Sequence, residues 1–403
     1  MMSRRFIVAG LLGLLLVSGG LQAQEALRPE VGKPLQAAQE LIKAKKYKEA
    51  LAKIRDADAV GSKNAHETLT IERMRFVAAN GSNDADAAAR SLDSLLAAGK
   101  LSASEQQQYM QAVAVAYYRA KEYGKAISWT QRYFKDGGSD GQMRTVLVQS
   151  YYLNGDYANA AKELNVAVQA TEKAGGKPDQ DRLEMLAGCY LKLNDMNGYT
   201  SALEKLATWY PKKEYWADLL TRIQKKPGFA DRLSLDVYRL KLASGIVGGA
   251  GDYMEMAQLA LQQGYPMEAK KIVDEGYAKS LLGTGSDVER HKRLRNLVDK
   301  QLAEDQKGLA QGEKQAAAAK EGTGLVNVGL NLVFNGQNDK GLALMEQGVG
   351  KGGLKRPDDA RLHLGYAYLL AGQKAKATQA FKAVQGTDGS ADLARLWLLQ
   401  MQH

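Results

Sequence analysis

Residues 114–126 read Ala-Val-Ala-Tyr-Tyr-Arg-Ala-Lys-Glu-Tyr-Gly-Lys-Ala, and residues 148–160 read Val-Gln-Ser-Tyr-Tyr-Leu-Asn-Gly-Asp-Tyr-Ala-Asn-Ala. The tyrosine pair, the later tyrosine and the closing alanine recur at one offset of 34 residues. Each stretch carries an apolar face at helical spacing, a short polar break and then a second helical face. A unit of this kind is a helix hairpin. Hairpins repeated at a fixed period stack, because one alone cannot bury its apolar face.

The chain resembles the tetratricopeptide repeat proteins, whose period is 34 residues. Their pattern places a small residue in helix A, a large one three later, an alanine in helix B twelve after the first, and a large apolar residue four beyond that. Gly365, Tyr368, Ala377 and Phe381 match all four positions. Ala114, Tyr117 and Ala126 match in one central repeat, and Tyr151 and Ala160 in the next. Other copies use Ala38, Leu41, Ala50 and Ile54, or Gly329, Leu332, Gly341 and Met345. Weaker copies use Gly188 and Leu191 with Thr200, or Ala257, Ala260, Ala269 and Val273. Small residues let the helices approach closely, and large ones fill the gaps between hairpins. The resemblance implies an all-α fold: a right-handed superhelical solenoid of antiparallel helix hairpins.

Composition agrees with helix. Only 7 prolines occur in 403 residues, and alanine is abundant. Residues 1–23 read as a signal peptide: Arg4-Arg5, an apolar run from Phe6 to Val17, then a small-residue region with cleavage near Ala23. The run is too short to span a bilayer comfortably, and the rest of the sequence holds no transmembrane span. The expected location is the periplasm, with secretion as the other outcome. Residues 24–285 are expected to form an N-terminal helical array. Residues 286–321 form a charged connecting segment, and 322–403 the C-terminal repeats with a capping helix.

The net charge is +10, spread along the chain rather than gathered in one block. The basic segment from Arg290 to Lys300 contains no aromatic residue on which a base could stack, so nucleic acid is not an expected partner. Cys189 is the single cysteine and sits among small residues, which reads as packing. His66, His291, His363 and His403 are too dispersed for a zinc set, so neither metal nor cofactor is expected. Gly137-Gly138-Ser139-Asp140-Gly141 fits the serine-hydrolase string, but it joins two helices where that motif needs a strand-to-helix elbow. Gly348, Gly350 and Gly353 fit the dinucleotide fingerprint but follow a helix, so they read as helix termination. No catalytic residue is expected.

In tetratricopeptide arrays helix A lines the concave groove. The resemblance therefore implies a partner-binding set of Gln111, Val115, Tyr118 and Arg119, then Thr145, Gln149 and Tyr152, then Met185 and Lys192. Tyr118 and Tyr152 would stack one repeat apart. The family's carboxylate-clamp positions read Gln111, Val115, Thr145, Gln149, Met185 and Cys189, so the Lys/Asn clamp is absent. Two functions follow as expectations. One is a non-enzymatic scaffold or adaptor for a protein partner of the cell envelope. The other is a peptidoglycan- or glycan-associated protein that binds or modifies its polymer.

Overall fold

The computed structural model describes residues 27–402. The expected signal peptide, residues 1–23, lies outside the described residues. Among those described, the regular structure is twenty α-helices and one 3-10 turn, with no strand. The chain divides into two compact units after Ala160, inside α8 (Tyr157–Lys173).

The first unit contains α1 (Pro29–Lys43), α2 (Tyr47–Asp58), α3 (Ala65–Gly81), α4 (Ala85–Ala97), α5 (Ala103–Arg119), α6 (Tyr123–Lys135), α7 (Gly141–Leu153) and the start of α8. Several of its helices start on capping residues. Asn64 and Glu67 form a capping box on α3, as do Ser102 and Glu105 on α5. Asp84 and Asp140 cap α4 and α7. Each odd-numbered helix pairs with the following even-numbered one in α1–α6, and α1, α3, α5 and α7 also pack side by side in that order.

The second unit contains α9 (Gln180–Lys192), α10 (Met196–Trp209), α11 (Lys213–Gln224), a 3-10 turn (Asp231–Leu233), α12 (Ser234–Ala243), α13 (Ala250–Gln262), α14 (Pro266–Ala278), α15 (Val288–Ala318), α16 (Thr323–Phe334), α17 (Asn338–Lys351), α18 (Pro357–Leu370), α19 (Lys374–Lys382) and α20 (Ser390–Gln400). Residues 286–321, the expected connecting segment, lie within this second unit. The charged segment is the single helix α15, which packs on α13, α14 and α16 of the same unit.

One backbone feature sets the repeat register. Helix A ends in a left-handed residue at Lys45, Asn83, Lys121 and Gly155 in the first unit, and at Asn194, Gly264, Gly336 and Gly372 in the second. This residue always falls four after the large position of helix A and five before the small position of helix B. Glycine takes this conformation at no steric cost, and asparagine is the usual substitute. The turn places the motif even where its residues have changed. Around Asn83 it selects Phe76, Ala79, Ala88 and Leu92, a hairpin whose motif is not recognisable by eye. Around Asn194 it corrects the assignment of Gly188 and Leu191. The packed pair there is Ala187 and Tyr190, and Leu191 is 45% exposed.

The residues assigned to repeat packing are interior. Ala114, Ala126, Ala160 and Ala377 are fully buried, and Tyr117, Tyr151, Tyr368 and Phe381 nearly so. At Gly365 a Cβ atom would lie 2.6 Å from the Phe381 ring, so only glycine lets α18 and α19 approach this closely.

In the second unit the last helix does more than cap. α20 packs on α18 and α19, and also returns against α10 and α12. Gln400 Nε2 donates to the Ala243 carbonyl at 2.8 Å, and Arg395 reaches Glu204 at 2.8 Å. The backbone N–H of Ala230 donates to the Asp388 carbonyl at 2.9 Å. The end of this unit is therefore tied back to its beginning.

Candidate functional site

The expected groove residues of the first unit fall on α5 and α7, which are neighbours. Tyr118 and Tyr152 are each half-buried. The Tyr118 hydroxyl donates to Gln149 Oε1 at 2.8 Å, linking the two helices. The two tyrosines do not stack on each other. Each ring instead meets the tyrosine five residues on, at the start of the next helix: Tyr118 with Tyr123 at 5.9 Å between centroids, and Tyr152 with Tyr157 at 5.4 Å. The reason is the turn, which folds the first residue of helix B back over the last turn of helix A. Gln111 Nε2 donates to the Tyr133 hydroxyl at 3.0 Å, so part of its role is to bind α5 to α6. Arg119 is exposed at the end of α5. Lys192 is exposed at the end of α9, in the second unit.

The motifs set aside in the sequence have structural roles. Ser139 is exposed in the α6–α7 connection, and it is Asp140 that caps α7, accepting from the Gln142 N–H at 2.6 Å. Cys189 is fully buried, and that burial pushes its thiol up to about 11, far from the thiolate a nucleophile needs. Of the glycines read as helix termination, Gly348 and Gly350 lie inside α17 and Gly353 just beyond it; the residue that ends α17 is Gly352, with φ 75°. Among the described residues no cluster of His, Cys, Asp or Glu has metal-binding geometry.

Tyrosines at the large position of helix A share a further device. Tyr117 donates to Asp86 of the preceding hairpin at 2.8 Å, and Lys125 reaches the same carboxylate at 2.7 Å. Tyr368 donates to Glu346 at 2.5 Å, and Lys376 reaches that carboxylate at 3.3 Å. In both cases the lysine lies eight residues after the tyrosine, and its ammonium sits 5.1 Å or 5.3 Å from the ring centroid. The Tyr–x7–Lys spacing was present in the sequence, but the acid that completes it comes from another hairpin.

The second unit holds a site that sequence reasoning missed. Arg239 of α12 is 1% exposed. Its guanidinium donates to both oxygens of Glu268 at 2.7 Å and 2.6 Å, and to Asp236 at 2.7 Å. It also lies 4.9, 5.5 and 5.7 Å from the rings of Tyr366, Tyr265 and Phe334. His363 Nε2 lies 3.3 Å from the other oxygen of Asp236. Burial by itself would raise the Asp236 carboxyl, but His363 and Arg239 outweigh it and hold it at about 2. Such a cluster persists only when every charge is paired, because an ion removed from water without a partner costs several kcal/mol. A signal did exist: Asp236 and Arg239 alternate with Leu233, Leu235 and Leu240 in one short segment, so charges occupy positions flanked by core residues.

A cleft of about 360 Å³ opens beside this cluster. Its lining includes Arg232, Asp236, Tyr265, Asn327, Arg356 and His363. Asp359 in its lining is held by Arg232 through two bonds of 2.7 Å and 2.8 Å.

No protein-family model matches the chain, and no curated protein matches it in sequence. Several solved structures are similar to it. The TPR2AB domain of yeast Sti1, solved as a complex with pHSP90, is 13% identical with a TM-score of 0.24, over 73% of this chain and 97% of that one. Yeast Tom70 is 13% identical with a TM-score of 0.25, over 92% and 96%. A Naa15/Naa10 structure bound to HypK-THB is 14% identical with a TM-score of 0.36, over 92% of this chain but 61% of that one. Superpositions this loose add no detail. The turn register and the interlocked small and large positions themselves define a tetratricopeptide-like array of helix hairpins.

Proposed function

We propose that the protein is a non-catalytic interaction scaffold of the cell envelope that holds a protein partner along the α1–α3–α5–α7 face of its first unit. The observation that carries this reading is the side-by-side packing of those four helices, which makes one continuous surface. On it Tyr118 and Tyr152 are half-exposed on successive helices, and each is already held by neighbours. Aromatic side chains fixed before binding lose little entropy on association and are frequent hot spots. The Arg4 to Ala23 layout supports export and action in the periplasm.

The test uses the chain as bait for envelope proteins, then measures the captured partner's affinity. Tyr118→Ala or Tyr152→Ala is expected to cost about 2 kcal/mol, roughly thirtyfold in affinity. Tyr118→Phe removes only the bond to Gln149 and should cost less, while Ser139→Ala should bind normally. Folded tyrosine variants that bind as well as the parent would overturn the assignment. Export is tested separately by N-terminal sequencing of the cellular protein. A chain that begins near Gln24 in the periplasmic fraction is expected; one that keeps Met1 in the cytoplasm refutes it.

A further inference from the structure

α15 is a 31-residue helix, more than twice the mean length of a globular helix. His291, Leu294, Val298 and Ala316 anchor it to its neighbours. On its other side runs a row at alternating steps of three and four residues: Arg290, Arg293, Leu297, Lys300, Glu304, Lys307, Gln311 and Lys314. All eight are exposed. Five are cations, and among the described residues none of those five takes part in an ion pair, unlike Lys125, Arg232 or Arg239. At 1.5 Å per residue the row extends about 36 Å, and Lys300, Lys307 and Lys314 follow one another about 10 Å apart. Seven residues fall about 20° short of two full turns, so the row is nearly straight.

We propose that this row is a docking surface for a linear, sparsely charged polyanion: an acidic polysaccharide with about one carboxylate per disaccharide. The row is one residue wide. From Lys300 onward the other exposed positions of α15 are uncharged, among them Ala303, Gln306 and Ala310, whereas its first turns also expose Glu289, Lys292, Arg295 and Asp299, with Lys292 paired to Glu289 and Arg295 to Asp274. A flat anionic membrane rewards a broad basic patch with apolar side chains to insert, and Leu297 is the one large apolar side chain in the row. A nucleic acid strand carries a phosphate about every 3.4 Å, so most of its charges would face no cation here. α15 also has no aromatic residue on which a base could stack. Glu304 is the one anion in the row, and it lowers the charge density further toward that of a sparsely charged chain.

The experiment titrates the purified protein with a fluorescent oligosaccharide of a uronic-acid polymer bearing one carboxylate per disaccharide. Parallel arms use duplex DNA and vesicles containing anionic lipid, each at low and moderate salt. The triple variant Lys300→Gln, Lys307→Gln, Lys314→Gln is expected to bind the oligosaccharide about tenfold more weakly or worse, with a flatter salt dependence. A control triple in the first unit, Lys100→Gln, Lys121→Gln, Lys135→Gln, removes equal charge and should stay within about twofold of the parent. Circular dichroism checks that both remain helical. The proposal fails if the parent does not bind the oligosaccharide at low salt. Equal losses in both triples would also overturn it, since bulk charge would then explain the binding. So would tighter binding of DNA or vesicles that depends on the α15 lysines, because the row would then serve another class of polyanion.

Discussion

Arg239 and Glu268 meet through two parallel hydrogen bonds of 2.7 and 2.6 Å, with side chains 0% and 5% exposed. The pair joins α12 to α14 in the interior of the second unit, among the rings of Tyr265, Phe334 and Tyr366 and beside Asp236. Removing one partner of such a pair leaves a buried charge unmatched, at a cost of about 3–5 kcal/mol. Arg239→Ala is expected to destabilise the second unit by about that amount. Arg239→Lys should recover only part of it, because an ammonium cannot match the two-pronged geometry. Thermal and urea unfolding give the answer, and a loss below about 1 kcal/mol for Arg239→Ala would show that the network is dispensable.

Arg232, in the 3-10 turn ahead of α12, ties that turn to the end of the second unit. It bonds Asp359 of α18 and also Asp388, just ahead of α20. Arg232→Ala should leave the helices intact but loosen α20. Hydrogen exchange of the α20 backbone amides is expected to accelerate by about tenfold or more, the equivalent of about 1.4 kcal/mol or above. Unchanged exchange in α20 would mean that apolar packing of Trp397 and Leu393 closes the unit without help.

Acid should unfold the protein in a narrow window. Asp236 is held at about 2 against burial by His363 and Arg239, and Asp388 is held at about 2 against burial by Arg232 and Ser390. Both lie below the ordinary aspartate value of 3.8. A depressed carboxyl contributes stability that is fully present above its unfolded value and lost as pH falls through its folded value. Urea midpoints should therefore be flat from pH 7 to about 4.5 and fall steeply between about pH 4 and 2. Asp236→Asn should be less stable at neutral pH and show a shallower acid limb.

Glycine at residue 365 reverses an ordinary rule. Alanine inside a helix is normally about 1 kcal/mol better than glycine. Here the added methyl would meet the Phe381 ring, which is buried and stacked on Trp397 at an interplanar angle of 5°. Gly365→Ala is expected to lose about 1–3 kcal/mol. Lys121 presents the opposite case, a lysine forced to φ 63° in a turn where other repeats use glycine. Lys121→Gly should gain up to about 1 kcal/mol, measured in the same unfolding assay. A stabilising Gly365→Ala would mean that α18 and α19 can move apart freely.

Much of the fold was legible because its determinants are short in sequence. The period, the buried alanines from Ala114 to Ala377 and the Gly365–Phe381 interlock all depend on residues within about one hairpin. Even the cation row on α15 is visible as a seven-residue spacing of Lys300, Lys307 and Lys314. Legibility stopped where residues from different hairpins meet. Tyr118 finds Gln149 rather than Tyr152, and Arg239 finds Glu268, 29 residues away. Arg232 finds Asp388 at a separation of 156, and α20 finds α10 and α12. Helical spacing and turn chemistry settle which residues share a helix face, since they act over three to five residues. Only the tertiary structure decides which faces come together, because small rotations between successive hairpins add up along the array and no local signal records their sum.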